Sequence, residues 1–251
     1  MKLSVVVPVR NERDTVVALL DRLRAVDCGM PKEIIVVDGA STDGTRDALL
    51  GLADDPELII VLEDQARGKG RAVRTGFERA TGDIVMVQDA DLELDPGQIP
   101  SLLAPLVEQG APAVFGSRFK GRGRSGAPLT NYAGNVILTW IADLLFFTRL
   151  TDILTCYKVL RADVAKGLDL RCNGFDFDAE ITCRLLRDGY PIIELPVTYD
   201  PRTVDEGKKL TTGVGWSVLR AILRVRFSRS SAPARVPTPR SSLPAPGAPG
   251  A

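Results

Sequence analysis

Hydrophobic and polar positions follow two periods over the first half of the chain. Short apolar, β-branched runs at Leu3–Val9, Glu33–Val37, Leu58–Leu62, Ile84–Val87 and Ala113–Gly116 read as strands. Between them, near 12–25, 43–52, 69–80 and 97–108, the pattern is helical. Near-continuous apolar strands alternating with helices predict an α/β fold, a doubly wound, mainly parallel sheet of Rossmann-like layout. The punctuation agrees. Ser41, Thr42 and Asp43 are N-cap residues for the second helix, and Gly82 separates the third helix from the strand opening at Asp83. Asp95-Pro96 reads as a cap followed by proline at the first helical position, while Pro100 and Pro105 weaken the helix that follows.

The second half is less regular. Residues 118–128 form a basic, glycine-rich loop. Tyr132–Phe147 predicts a helix that is apolar over a wide arc, with Asn135, Thr139 and Asp143 as a narrow polar stripe. It is too short to cross a bilayer. It suits either a core or subunit-interface position, or a place in a membrane interface with Trp140 and basic flanks as anchors. Residues 151–161 return to strand character, 176–188 to helix ending at Gly189, Pro191–Val197 to strand and 214–227 to helix. From Ser228 the chain has six prolines in 24 residues and no acid, so residues 228–251 are expected to be a disordered tail after one domain over 1–227.

Composition narrows the chemistry. The 32 basic and 32 acidic residues balance, which argues against nucleic acid as a partner. From Arg202 to Arg229, however, seven basic residues face two acidic ones, a local patch suited to phosphate groups or an anionic membrane surface. The four cysteines are scattered and read as reduced thiols. The absence of histidine excludes a Ser-His-Asp triad, a Cys-His pair and His-bound zinc. No signal peptide or transmembrane helix is predicted.

The richest chemistry lies at strand ends. In Asp83–Glu93 a strand runs into Asp89-Ala90-Asp91 with Glu93 beyond, hard oxygen donors of the kind that hold Mg²⁺ or Mn²⁺ together with substrate phosphates. Pro8-Val-Arg10-Asn-Glu12 follows the first strand and Asp38-Gly-Ala-Ser41-Thr-Asp43 the second. In an open parallel sheet, ligands bind beyond the carboxyl ends of the strands, so the three clusters converge on one edge.

These segments, with Gly68-Lys69-Gly70, resemble the family 2 glycosyltransferases of GT-A fold over about residues 3–210. Gly116-Ser-Arg118-Phe, Asp152–Lys158, Gly174–Glu180 and Tyr199-Asp-Pro-Arg202 through Lys209 resemble the polyprenyl-phosphate branch, which includes dolichyl-phosphate mannose synthase and dolichyl-phosphate glucosyltransferase. Cys156-Tyr157 departs from that branch's usual Gly-Phe pair. The resemblance implies an inverting, metal-dependent transfer of a hexose from a nucleotide sugar, GDP-mannose or UDP-glucose, to a polyprenyl phosphate. It places the enzyme in the cytoplasm, peripheral at the cytosolic membrane face.

The same resemblance implies the site. Pro8, Arg10, Glu12, Asp38, Ser41, Lys69, Asp89 and Ala90 would meet the nucleotide. Asp89, Asp91 and Glu93 would hold a Mg²⁺ or Mn²⁺ ion. Arg118, Arg202 and Lys209 would bind the phosphates. A lipid phosphate is already anionic and needs no strong base. Were the acceptor a saccharide hydroxyl, a base would be needed, with Asp178 or Glu180 in the matching place.

Overall fold

The computed structural model describes residues 1–120, 129–201 and 213–228, without the side chains of 129–131 and 213. Seven strands form one sheet: β1 (Leu3–Val9), β2 (Lys32–Asp38), β3 (Leu58–Leu62), β4 (Ile84–Val87), β5 (Ala113–Ser117), β6 (Lys158–Arg161) and β7 (Ile192–Pro196), ordered β3-β2-β1-β4-β6-β5-β7. β1 pairs in parallel with β2 and β4, β2 with β3, and β5 with β7. β6 alone among them is antiparallel, wedged between β4 and β5. This is the expected mainly parallel α/β sheet, and every strand expected in the first half is present.

The helices are α1 (Val16–Ala25), α2 (Thr45–Leu50), α3 (Lys69–Arg79), α4 (Ile99–Gln109), α5 (Leu129–Phe146), α6 (Ala162–Gly167), α7 (Phe177–Arg187) and α8 (Gly213–Phe227). α4 tolerates Pro105 and is preceded by a 3₁₀ turn, Pro96–Gln98, in which the Asp95 carboxylate accepts from Gly97 N. One core cluster lies between α1, α4 and one sheet face, and a second between α3, α6, α7 and the other face. Valines and isoleucines of β1, β2 and β4 are buried on both faces, which is why their runs are continuously apolar.

Two expectations are corrected. Only the last four residues of the 151–161 segment form a strand. Upstream, Thr151 N and Asp152 N donate to the Glu194 carboxylate at 2.9–3.1 Å, so side-chain bonds replace a ladder there. α6 was not foreseen, because six residues carry too little periodicity. The four cysteines are unpaired thiols, as expected. Of the expected tail, 228–251, residues 229–251 lie outside the described residues.

α5 has its polarity reversed. Asn135 and Thr139 are buried and Asp143 half-buried, while Ile137, Trp140 and Leu144 of the same helix are exposed. A third apolar cluster joins α5 to α7 and α8 through Ala142, Cys183, Val218 and Ile222, so the helix is packed along one side only. Among the described residues no helix is long and apolar enough to cross a membrane.

Candidate active site

The loops after β1 and β4, the start of α3, and parts of α5, α7 and α8 enclose a cavity of about 540 Å³. Backbone placement at its rim is strained. Asn11 and Leu92, after β1 and β4, have φ of 53° and 62°, and Ala40, after β2, has 57°. Non-glycine residues in this region are uncommon and concentrate where a loop must present specific groups. Asn11 holds two of these loops together: its N–H donates to Ser41 Oγ and its side-chain oxygen accepts from Thr42 N, both at 2.9 Å.

On the floor, Lys69 is the first residue of α3, after Gly68 at φ 94°. Its Nζ lies 2.9 Å from both Asp89 oxygens and 3.3 Å from Asp178 Oδ2. Burial works against the ammonium charge, but Asp178 and Asp89 outweigh it and hold Lys69 well above its usual range. Lys158, fully buried on β6, approaches Asp178 Oδ1 at 3.8 Å and lies 4.7 Å from the Phe115 ring centre. Burial pushes the Lys158 ammonium down. The charges thus alternate in a row, Lys158, Asp178, Lys69, Asp89. Asp178 lines the cavity, and its Oδ1 is buried without a hydrogen-bond partner.

Also on the cavity lining, Arg118 forms a bidentate pair with Asp152, Nε at 2.7 Å and a terminal nitrogen at 2.9 Å. Its guanidinium lies 5.5 Å from the Phe119 ring centre and 5.2 Å from that of Tyr199. Asn135 of α5 donates at 2.7 Å to Asp152 Oδ1, the oxygen that also accepts from the Arg118 terminal nitrogen. Burial opposes the Arg118 charge, but Asp152 outweighs it and raises the guanidinium further; Arg118 in turn outweighs burial at Asp152 and lowers that carboxyl. Leu154, Phe175, Val214 and Val218 add apolar groups to the cavity lining.

The Glycosyl transferase family 2 profile matches residues 4–167, about two thirds of the chain. The chain belongs to glycosyl transferase family 2. An undecaprenyl-phosphate mannosyltransferase of Micrococcus luteus is 32% identical over 232 residues, covering 87% of this chain and 92% of that protein. A dolichol-phosphate mannosyltransferase of Pyrococcus furiosus is 30% identical over 221 residues, 83% of this chain but 59% of that longer protein. Glucosyl-3-phosphoglycerate synthase of Mycobacterium tuberculosis, solved with Mn²⁺, UDP and phosphoglyceric acid, superposes with a TM-score of 0.70 at 21% identity. The match covers 92% of this chain and 80% of that one. The fold is therefore GT-A, and the protein is a glycosyltransferase.

Against this family frame the expected residues divide. Pro8, Arg10, Glu12, Lys69, Asp89, Ala90, Asp91, Glu93 and Arg118 all line the cavity. Asp38 does not. It is fully buried and its carboxylate is taken by Arg46 Nε at 2.8 Å and by Ser41 N at 3.2 Å, the turn role of a strand-end aspartate. Ser41 serves to accept from Asn11 N rather than to line the cavity. Glu180 is also turned away. Its Oε2 accepts from Arg171 N and Cys172 N at 2.8 and 2.7 Å, and Arg184 lies 3.7 Å from Oε1. Arg202 and Lys209 fall outside the described residues. Sequence reasoning missed Lys158, Asp152, Asn135 and Tyr199 as functional groups. The signal was there for the first two, polar residues within an apolar segment.

The metal expectation is narrowed. Glu93 accepts from the Tyr199 hydroxyl at 2.8 Å, and Asp89 is paired with Lys69. Among the described residues no three His, Cys, Asp or Glu side chains converge as a ligand set, so Asp89, Asp91 and Glu93 do not form one. Asp91 and Asp89 still offer hard oxygens in the cavity. This fits an ion of Mg²⁺ type, which takes one or two carboxylates and completes its shell with substrate phosphates.

Proposed function

We propose that this glycosyltransferase moves a hexose from a nucleotide sugar to a polyprenyl phosphate, with inversion at the anomeric carbon. The observation that carries the reading is the mixture of groups lining one cavity. Asp89, Asp91 and Lys69 form a first set, and Arg118 with the apolar Leu154, Phe175, Val214 and Val218 a second. The first suits a nucleoside diphosphate, the second a phosphate that carries a hydrocarbon chain. The named mannosyltransferase relatives support a mannosyl donor such as GDP-mannose over UDP-glucose.

Pro8, Arg10 and Glu12 would bound the nucleotide, and Lys69 would neutralise the diphosphate. Asp91 and Asp89 would hold a Mg²⁺ or Mn²⁺ ion, whose chemistry is Lewis-acid stabilisation of the departing nucleoside diphosphate. Two of the five Arg118 N–H donors go to Asp152, and the rest are available to the acceptor phosphate. An acceptor phosphate oxygen forms the new bond to the anomeric carbon as the bond to the donor diphosphate breaks. The electron pair leaves with the nucleoside diphosphate, and no proton moves. This suits a chain without histidine. Arg202 and Lys209 are proposed to add charge to the same phosphates, and the reaction is placed at the cytosolic face of a membrane.

A hydroxyl acceptor would need a base, and Asp178 is the carboxylate in the cavity placed for it. Its charge is already engaged by Lys69 and Lys158, which favours the phosphate acceptor. The test is incubation with Mg²⁺, a panel of nucleotide sugars and a short polyprenyl phosphate, with the lipid-linked sugar read by mass spectrometry. A product that disappears in Asp91→Ala is expected. Donor turnover onto glycan hydroxyls, with no lipid product from any donor, would move the assignment to Asp178 as base.

A further inference from the structure

α5 keeps two polar residues on its inward side, where a helix held only by packing would be apolar. Asn135 is 6% and Thr139 4% exposed, one helical turn apart. Burying an amide and a hydroxyl is costly unless both are bonded, and both are. Ile153 N donates to Thr139 Oγ1 at 3.4 Å, and the Thr139 hydroxyl donates its own proton to Asn135 Oδ1, 3.0 Å away. With its oxygen engaged there, the Asn135 amide turns Nδ2 to Asp152 Oδ1 at 2.7 Å. The reversed amide would set an oxygen against a carboxylate. The bonds therefore run in one direction, from Ile153 N through α5 to Asp152.

Asp152 passes that constraint to a single residue. Its Oδ2 accepts from Arg118 Nε at 2.7 Å and from Arg118 N at 3.1 Å, and its Oδ1 accepts from an Arg118 terminal nitrogen beside Asn135. One fully buried carboxylate thus holds both the main chain and the side chain of Arg118. Glu194 fixes the Asp152 main chain, whose N–H donates to it at 3.1 Å. Among the described residues, Asn135 is the one partner besides Arg118 that the Asp152 carboxylate has. Without it, carboxylate and guanidinium could shift together and keep their pairing. Arg118 and Asn135 both line the cavity, so such a shift would move the charge that meets a ligand.

We propose that Asn135, oriented by Thr139, is a positioning residue for glycosyl transfer, setting the Arg118 guanidinium through Asp152 at the place of the acceptor phosphate. This rests on the reading above that Arg118 meets that phosphate. It also accounts for the inward polar pair on α5. An apolar residue at 135 would remove the cost of burying an amide, but would leave the Arg118–Asp152 pair without its outside anchor.

The test uses the full chain with Mg²⁺, GDP-mannose and a short polyprenyl phosphate. Asn135→Leu should raise the acceptor KM about tenfold, the loss of one hydrogen bond to a charged group, and leave the donor KM within about twofold. Asn135→Asp sets a second carboxylate against Asp152 and should raise the acceptor KM further. Thr139→Val lets the amide reverse and should raise it by a smaller factor, while Thr139→Ser keeps the hydroxyl and should restore it. If circular dichroism shows that Asn135→Leu does not fold, the two Thr139 variants decide. Unchanged acceptor KM in the folded variants, or equal losses for donor and acceptor, would overturn the proposal and leave Asn135 a structural residue. A second readout needs no acceptor. The Arg118 Nε–H proton, identified in NMR spectra by its loss in Arg118→Lys, should exchange with water about tenfold faster in Asn135→Leu and faster also in Thr139→Val. Unchanged exchange in both would overturn the proposal. Faster exchange in both, with no lipid-linked sugar formed by the unaltered chain from any nucleotide sugar, would uphold the positioning of Arg118 and sink the acceptor assignment instead.

Discussion

The strand-end part of the cavity and the part around Arg118 are built by different means. The strand-end part is placed by backbone: strands end, loops turn at Asn11, Ala40 and Leu92, and short polar side chains are delivered at fixed register. The other side is held by buried charge. Arg118, Asp152 and Asn135 form one connected group, and the Glu194 carboxylate holds the Thr151 and Asp152 amides below it. A wall made by strand register tolerates the loss of one side chain. A wall made by paired charges does not, because each removal strands its partner in a low-dielectric interior.

The largest expected effect tests where the two sides meet. Lys69→Met leaves Asp89 and Asp178 facing each other with the bridging ammonium gone. kcat/KM should fall by about 10²–10³, measured with saturating acceptor. The unfolding temperature should fall as well, because Asp178 loses a buried partner. Unchanged activity in the folded variant would show that Lys69 is structural. Asp152→Ala comes next. Breaking a buried pair costs about 3–5 kcal/mol, or on the order of 10 °C in Tm for a domain of this size. Differential scanning calorimetry reads it, and a shift near zero would refute the charge-built wall.

Packing separates the regions more gently. A Cβ at Gly76 of α3 would run into the Val6 side chain of β1, so Gly76→Ala should cost about 1–3 kcal/mol in urea unfolding. A Cβ at Gly134 of α5 meets nothing within 4 Å, so Gly134→Ala should stabilise by about 0.5–1 kcal/mol. A pH-dependent effect lies at Glu33, at the amino end of β2. Burial opposes its charge, but bonds from Lys2, Ser4 and Thr81 outweigh this and lower the carboxyl from 4.5 to about 2. A lowered folded value stabilises above the unfolded pKa and is lost as pH falls through the folded one. Glu33→Gln should therefore lower the urea midpoint at pH 7 and flatten its decline between about pH 4.5 and 2, compared with the unaltered chain.

This contrast also explains what could be read from the sequence. Strands buried on both faces write themselves as Leu3–Val9 or Lys32–Asp38, and a parallel sheet then dictates which edge carries the loops. Asp38 and Asp89 nevertheless look alike in sequence, each a carboxylate at a strand end. Only the reach of Arg46 from α2 distinguishes the buried turn residue from the one in the cavity. Likewise Asp178 and Glu180 both open α7, yet two residues of helix rotation send one to the cavity and the other to the amides of Arg171 and Cys172. Thr151–Thr155 has strand-like residues, but its first two amides donate to Glu194, a partner some 40 positions away that no local pattern announces. Lys158 was hidden for the same reason, since its worth depends on Asp178, 20 residues later.

The wedged position of β6 has a consequence for how the molecule comes into being. β4 and β5 never touch as partners; each waits for Lys158–Arg161 to arrive between them. A nascent chain that has emerged only as far as β5 holds β4 with an open edge and β5 without either partner, a state exposed to self-association. The segment that closes the gap brings a buried ammonium with it, so sheet closure and desolvation of Lys158 are one event. Late, long-range pairing of this kind makes for slow folding. Truncation before residue 161 is expected to yield an aggregating fragment rather than a smaller nucleotide-binding domain.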